Sequence, residues 1–100
     1  VVFVVTKDEQ REASGQIYEK VLNNVREVKS RGGIILSVAI EGDTAVAAES
    51  DHCLFIPKAT DFLLPILEVV PLQLLAYQIA VKRNCDVDQP RNLAKSVTVE

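Results

Sequence analysis

The sequence has 100 residues, 48% of them apolar, 25% charged, and a formal net charge of −3. That length allows one small domain at most, large enough to bury a core. The mildly acidic balance without a basic run argues against nucleic acid and anionic membranes as partners. With only 5% aromatics and no Trp or Met, the composition suits an aliphatic α/β core better than an aromatic recognition surface.

Val1 to Val5 is a short, continuously apolar, mostly β-branched run, the pattern of a strand covered on both faces in a parallel sheet. Opening on such a run, with no initiator methionine and no signal peptide, reads as a piece of a longer polypeptide. Thr6-Lys7-Asp8-Glu9 fits a capping box, in which Thr6 and Glu9 satisfy the first free amides of a helix. Ala13, Ile17, Val21, Val25 and Val28 then recur every three or four residues among charged and polar ones, predicting one buried face and one wet face. Gly32-Gly33 ends that helix, because glycine adopts the left-handed cap conformation without steric cost. Ile34 to Ile40 is a second strand, and strand–helix–strand predicts a right-handed βαβ unit with parallel strands.

Glu41-Gly42-Asp43-Thr44 reads as a turn, and Ala45 to Asp51 as a short helical turn or loop. Cys53-Leu54-Phe55-Ile56 is a brief third strand ended by Pro57. Short strands separated by helical segments predict an open α/β sheet. Thr60 to Asn84 is the most apolar stretch, and a helix apolar nearly all round is either buried or membrane-spanning. A span needs ~20 residues almost free of polar groups; Glu68, Gln73, Gln78, Pro65 and Pro71 favour burial. Pro65 fits a first turn, whereas Pro71 removes a backbone bond and predicts a kink or split. Lys82 and Arg83 suit the negative end of the helix dipole. Such a helix should pack against more protein than these residues supply.

Few residues carry obvious chemistry. His52, the one histidine, could be an acid, base or ligand, but without a ligand-spaced partner it reads better as a solvated strand-end residue. Cys53 and Cys85 form no CxxC pattern and read as buried or idle thiols of a reducing compartment. Asp86 and Asp88 could pass for a carboxylate pair, though neighbouring acids in a turn are usually solvated caps. Neither Ser14-Gly15 nor Gly32-Gly33 opens a helix after a strand, so neither is a phosphate loop. Tyr77 reads as a core residue with a polar tip. No metal or cofactor site is predicted.

The last fifteen residues, Asp86-Val-Asp-Gln-Pro-Arg-Asn-Leu-Ala-Lys-Ser-Val-Thr-Val-Glu100, break the helix at Gln89-Pro90. Leu93, Ala94, Val97 and Val99 are apolar enough to cover something. Arg91 could hold an anion or tie down the tail's own carboxylate, the second being the better fit. Lys95 stands among small and apolar neighbours, where desolvation would lower its pKa toward that of a carbonyl-attacking amine; the alternative is an ordinary surface lysine on a terminus.

This tail, with Val70-Pro71-Leu72-Gln73-Leu74-Leu75-Ala76-Tyr77 before it, resembles the C-terminus of the glucosamine-6-phosphate synthases (glutamine–fructose-6-phosphate aminotransferases, isomerising). The similarity is dense from Phe62 to Glu100 and collinear upstream. It implies a flavodoxin-like sugar isomerase (SIS) domain with a three-layer parallel sheet of order 2-1-3-4-5, of which the present strands would be the third, fourth and fifth. Residues 1–85 would be part of that domain and residues 86–100 a tail covering the sugar site. By the same resemblance Lys95 forms a Schiff base with ring-opened fructose-6-phosphate and Ala94 lines the sugar site. The implied setting is a cytoplasmic homodimer acting on fructose-6-phosphate to give glucosamine-6-phosphate, without nucleic acid or membrane. The family's Lys-His-Gly-Pro histidine, its catalytic glutamate and its Ser- and Thr-rich phosphate loops do not occur in this sequence, so the remainder of a parent polypeptide is an expected partner. Two other functions stay open: a non-catalytic sugar-phosphate-binding regulator, and a packing or dimerisation module.

Overall fold

Three short strands, β1 (Val2–Val5), β2 (Leu36–Ile40) and β3 (His52–Ile56), lie side by side in the order β1-β2-β3, all parallel. They are joined by α1 (Glu12–Ser30) and α2 (Thr44–Glu49) and followed by α3 (Leu64–Lys82) in a computed structural model that describes residues 1–89. Phe3, Ser37 and Cys53 stand abreast, as do Val4, Val38 and Leu54. Side chains alternate along a strand, so these two rows face opposite sides of the sheet. On one side Val5 and Ala39 pack with Tyr18, Leu22 and Val25 of α1 and Val46 of α2. On the other, Val38, Ile40 and Ile56 pack with Leu64 of α3. The result is the expected three-layer α/β arrangement, with the sheet as the middle layer.

The connection from α1 to β2 is built on two glycines. Gly32 has φ +79°, which L side chains rarely adopt. A Cβ on Gly33 would stand 2.6 Å from the Cγ1 of Val28, so the chain turns back against its own helix only because nothing is there. Asp43 caps α2, its Oδ1 accepting from the Val46 amide at 3.1 Å.

Several expectations need correction. The capping box at Thr6 and Glu9 does not form: α1 begins at Glu12, its N-cap Arg11 makes no side-chain cap bond, and Thr6 Oγ1 donates instead to Glu68 of α3. The cause is Asp8, whose side chain closes a local turn onto the Gln10 amide at 3.0 Å and so delays the helix. The buried face of α1 is Ser14, Tyr18, Leu22 and Val25. Of the expected series Val25 is fully buried and Val21 and Val28 pack partly against the same core, while Ile17 is 62% exposed. Tyr18 takes the inward place because its ring fills the core while its hydroxyl reaches Asp43. Helix α3 runs through Pro71 as one element, so the predicted split is not found.

The largest difference lies in α3. Only Leu64 of its residues is buried, with Leu67 and Leu72 packed partly against the sheet. Ile66, Val70, Leu74 and Tyr77 are exposed, so Tyr77 is not a core residue among the described ones. Three strands offer a face wide enough for one side of a helix that is apolar on both. By length and composition α3, with mean hydropathy 1.6, could cross a membrane, and 6% of its most apolar window is buried.

Candidate functional site

In parallel α/β sheets, ligands bind beyond the carboxyl ends of the strands, where the loops diverge. The same end of this sheet carries a cleft of about 560 Å³. Its walls are residues 7–10 after β1, 40–45 at the end of β2 and beyond, and 58–60 after β3, with Tyr18 of α1.

Each wall is held by side-chain bonds to backbone. Asp8 is 8% exposed; its Oδ1 accepts from the Gln10 amide and its Oδ2 from the Asp61 amide, both at 3.0 Å. These two amides, the Gln10 one foremost, hold its carboxyl below the ordinary value of 3.8; burial opposes the shift and Arg11 adds to it. The Asp8 amide donates to Ser14 Oγ at 2.8 Å, and that hydroxyl donates to Asp61 Oδ1 at 2.8 Å. Arg11 pairs with Asp61 at 3.1 Å. Across the cleft, Tyr18 donates to Asp43 Oδ2 at 2.8 Å, and burial together with that carboxylate pushes the phenol well above its usual range. The Lys7 ammonium lies over the Tyr18 ring, 4.6 Å from its centroid. Lys58 meets Glu9 at 3.6 Å on the outer rim.

This arrangement positions backbone; it does not assemble a nucleophile with a base. Asp8 and Asp43 are occupied by fixed donors, and among the described residues every buried side-chain polar atom has a partner. Among those residues, too, no group of three or more His, Cys, Asp or Glu is arranged to hold a metal ion.

The predicted site residues fall elsewhere. Lys95, Ala94 and Arg91 lie outside the described residues, as do residues 90–100 of the 86–100 tail given the covering role. His52 opens β3 and is exposed at the strand end away from the cleft, as a solvated residue should be. Cys53 is half-buried, its thiol pushed up first by burial and then by Asp43, whereas Cys85 is exposed rather than buried. Asp86 Oδ1 accepts from the Asp88 and Gln89 amides at 2.9 and 3.1 Å, a turn cap and not half of a carboxylate dyad. Sequence reading missed Asp8, Tyr18 and Asp61, whose partners are distant in the chain. Only Asp43 left a local trace, as an acid just ahead of a helical segment.

Comparison with known proteins matches residues 2–83 to the SIS domain family. The chain is 54% identical over 86 residues to the glutamine–fructose-6-phosphate aminotransferase [isomerizing] of Thermus thermophilus, covering 86% of this chain and 14% of that protein. Proteins of the same name match all 100 residues, at 45% identity in Chlorobaculum tepidum and 49% in Aquifex aeolicus. The chain spans 15% and 16% of the length of those two relatives.

Proposed function

Because the chain belongs to the SIS domain family, we propose that it is part of the isomerase half of an enzyme that makes glucosamine-6-phosphate from fructose-6-phosphate and glutamine. The observation that carries this reading is the match of all 100 residues, tail included, to aminotransferases of that name at 45–49% identity. In this reading residues 1–85 are the SIS portion and residues 86–100 the segment that covers the sugar. Lys95 is the Schiff-base lysine and Ala94 lines the sugar site. The enzyme is a cytoplasmic homodimer, and the remainder of its polypeptide supplies the sugar-phosphate loops and the proton-transfer groups.

The chemistry asked of Lys95 is specific. Its neutral amine adds to the ketose carbonyl of the open-chain sugar, and loss of water leaves an imine. The imine makes the adjacent carbon acidic enough for a carboxylate base to move a proton between neighbouring sugar carbons. An amine held near apolar side chains loses its proton more readily than one in water, which suits a lysine among Leu93, Ala94 and Val97.

Borohydride tests this directly, since hydride delivered to the imine carbon leaves a stable secondary amine. The full-length polypeptide, reduced in the presence of fructose-6-phosphate, is expected to gain one sugar-phosphate adduct that peptide mapping puts on Lys95. Lys95→Ala should abolish both the adduct and sugar turnover. A folded protein that gains no adduct would overturn the assignment; turnover surviving Lys95→Ala would favour a packing module.

A further inference from the structure

Helix α3 is thinly held. Its apolar contact with the sheet rests on Leu64, with Leu67 and Leu72 partly covered. What fixes its start is polar. The Thr60 carbonyl accepts from the Leu63 and Leu64 amides at 2.9 and 3.0 Å, so Thr60 and Asp61 form the turn that launches the helix. Asp61 is gripped three times by the segment after β1: its amide by Asp8 Oδ2 at 3.0 Å, its Oδ1 by Ser14 Oγ at 2.8 Å, and its Oδ2 by Arg11 at 3.1 Å. One turn into α3, Glu68 accepts from Thr6. Four residues near one loop thus set where a long helix leaves the sheet.

We propose that this Asp8–Ser14–Asp61 latch is a positioning element for the tail lysine, fixing the direction of α3 and so the place from which the segment carrying Lys95 departs. The inference rests on the reading of Lys95 given above. Its physical basis is leverage. An extended apolar helix with one buried side chain can pivot on the sheet at little cost, whereas two directed hydrogen bonds and an ion pair at its launching turn cannot be kept through a pivot. Reaction geometry is sensitive to displacements near 1 Å, at about a hundredfold in rate, so an anchor of this kind governs a covalent step without touching the sugar. Asp8 and Ser14 are positioning residues, not catalytic ones.

The test uses the full-length polypeptide with Ser14→Ala, which removes both bonds of that hydroxyl, and Ser14→Thr, which restores a hydroxyl. Asp8→Asn is a second, independent variant, because an amide has one acceptor oxygen for two backbone donors. Two quantities are read: the rate of borohydride-trapped adduct at Lys95 under saturating fructose-6-phosphate, and backbone hydrogen exchange in α3 relative to β2. Ser14→Ala and Asp8→Asn are expected to slow adduct formation roughly tenfold or more at an unchanged half-saturating sugar concentration. Exchange should quicken in the first turns of α3 and stay constant in β2, and Ser14→Thr should recover the rate. A native rate in Ser14→Ala, a slowdown accompanied by equal loss of protection in β2, or failure of Ser14→Thr to rescue would each overturn the latch. An unsubstituted protein that forms no adduct overturns the Lys95 reading instead, and the positioning role falls with it.

Discussion

Buried polar side chains here mostly serve backbone amides, and this has measurable consequences for single residues. Asp8 has a carboxyl held below its ordinary 3.8 by the Gln10 and Asp61 amides. A group with a depressed folded pKa contributes stability that is complete above its unfolded value and is lost as pH falls through the folded one. Acid unfolding should therefore steepen below pH ~4, and Asp8→Asn should flatten that limb while lowering stability at neutral pH, as read by denaturation across a pH series. Tyr18 poses a different test. Its ring is buried with Leu22 and Val25, and its hydroxyl has a single partner, Asp43. Tyr18→Phe keeps the ring and removes one hydrogen bond to a charged acceptor, so the expected loss is about 1.5–3 kcal/mol. A urea midpoint unchanged from the parent would mean that water replaces the phenol at Asp43 without penalty.

At the scale of elements, the strands were legible in the sequence because β-branched runs and glycine punctuation are local signals. Val1 to Val5 and Ile34 to Ile40 contain the first two observed strands, Cys53 to Ile56 covers the third except for its first residue His52, and Gly32-Gly33 marks the end of α1. The start of α1 was not legible. A capping box is a local pattern, and here it lost to Asp8, which turns onto the nearby Gln10 amide while holding the Asp61 amide 53 positions away, and to the bond Thr6 makes 62 positions away. The cleft was hidden for the same reason, since its walls come from three loops that meet only once the sheet has formed. The glycines separate these local and tertiary effects. Gly15 lies within α1 with nothing within 4 Å of an added Cβ, so Gly15→Ala should stabilise by about 0.5–1 kcal/mol. Gly33→Ala drives a methyl to 2.6 Å from Val28 and should cost about 1–3 kcal/mol. Thermal midpoints moving in opposite directions would support the close turn, and a neutral Gly33→Ala would refute it.

For the whole molecule, the question is what covers the surface that these residues leave open. Among the described residues β1 pairs only with β2, leaving its other edge unpaired, while α3 shows water Ile66, Val70, Leu74 and Tyr77 on top of the preceding Phe62. An unpaired apolar edge invites strand addition, and an apolar patch of this extent marks a contact surface. The sequence signalled this through an excess of apolar residues in one helix, but it could not say which side the sheet would take; the structure assigns the sheet to Leu64, Leu67 and Leu72. A lipid face and a protein face predict different behaviour. Glu68, bonded to Thr6 just after β1, ties the inner side of α3 to a polar loop, an arrangement that inserting the helix into a bilayer would have to break at the cost of a carboxylate in hydrocarbon. The 100-residue chain by itself is therefore expected to self-associate with rising concentration in sedimentation, and Ile66→Lys with Leu74→Lys should suppress that association. Vesicle binding that leaves the chain monomeric would instead favour the lipid face. A monomeric chain that folds cooperatively without vesicles would show that α3 needs no cover at all, and would remove the main physical reason for assigning it a larger protein context.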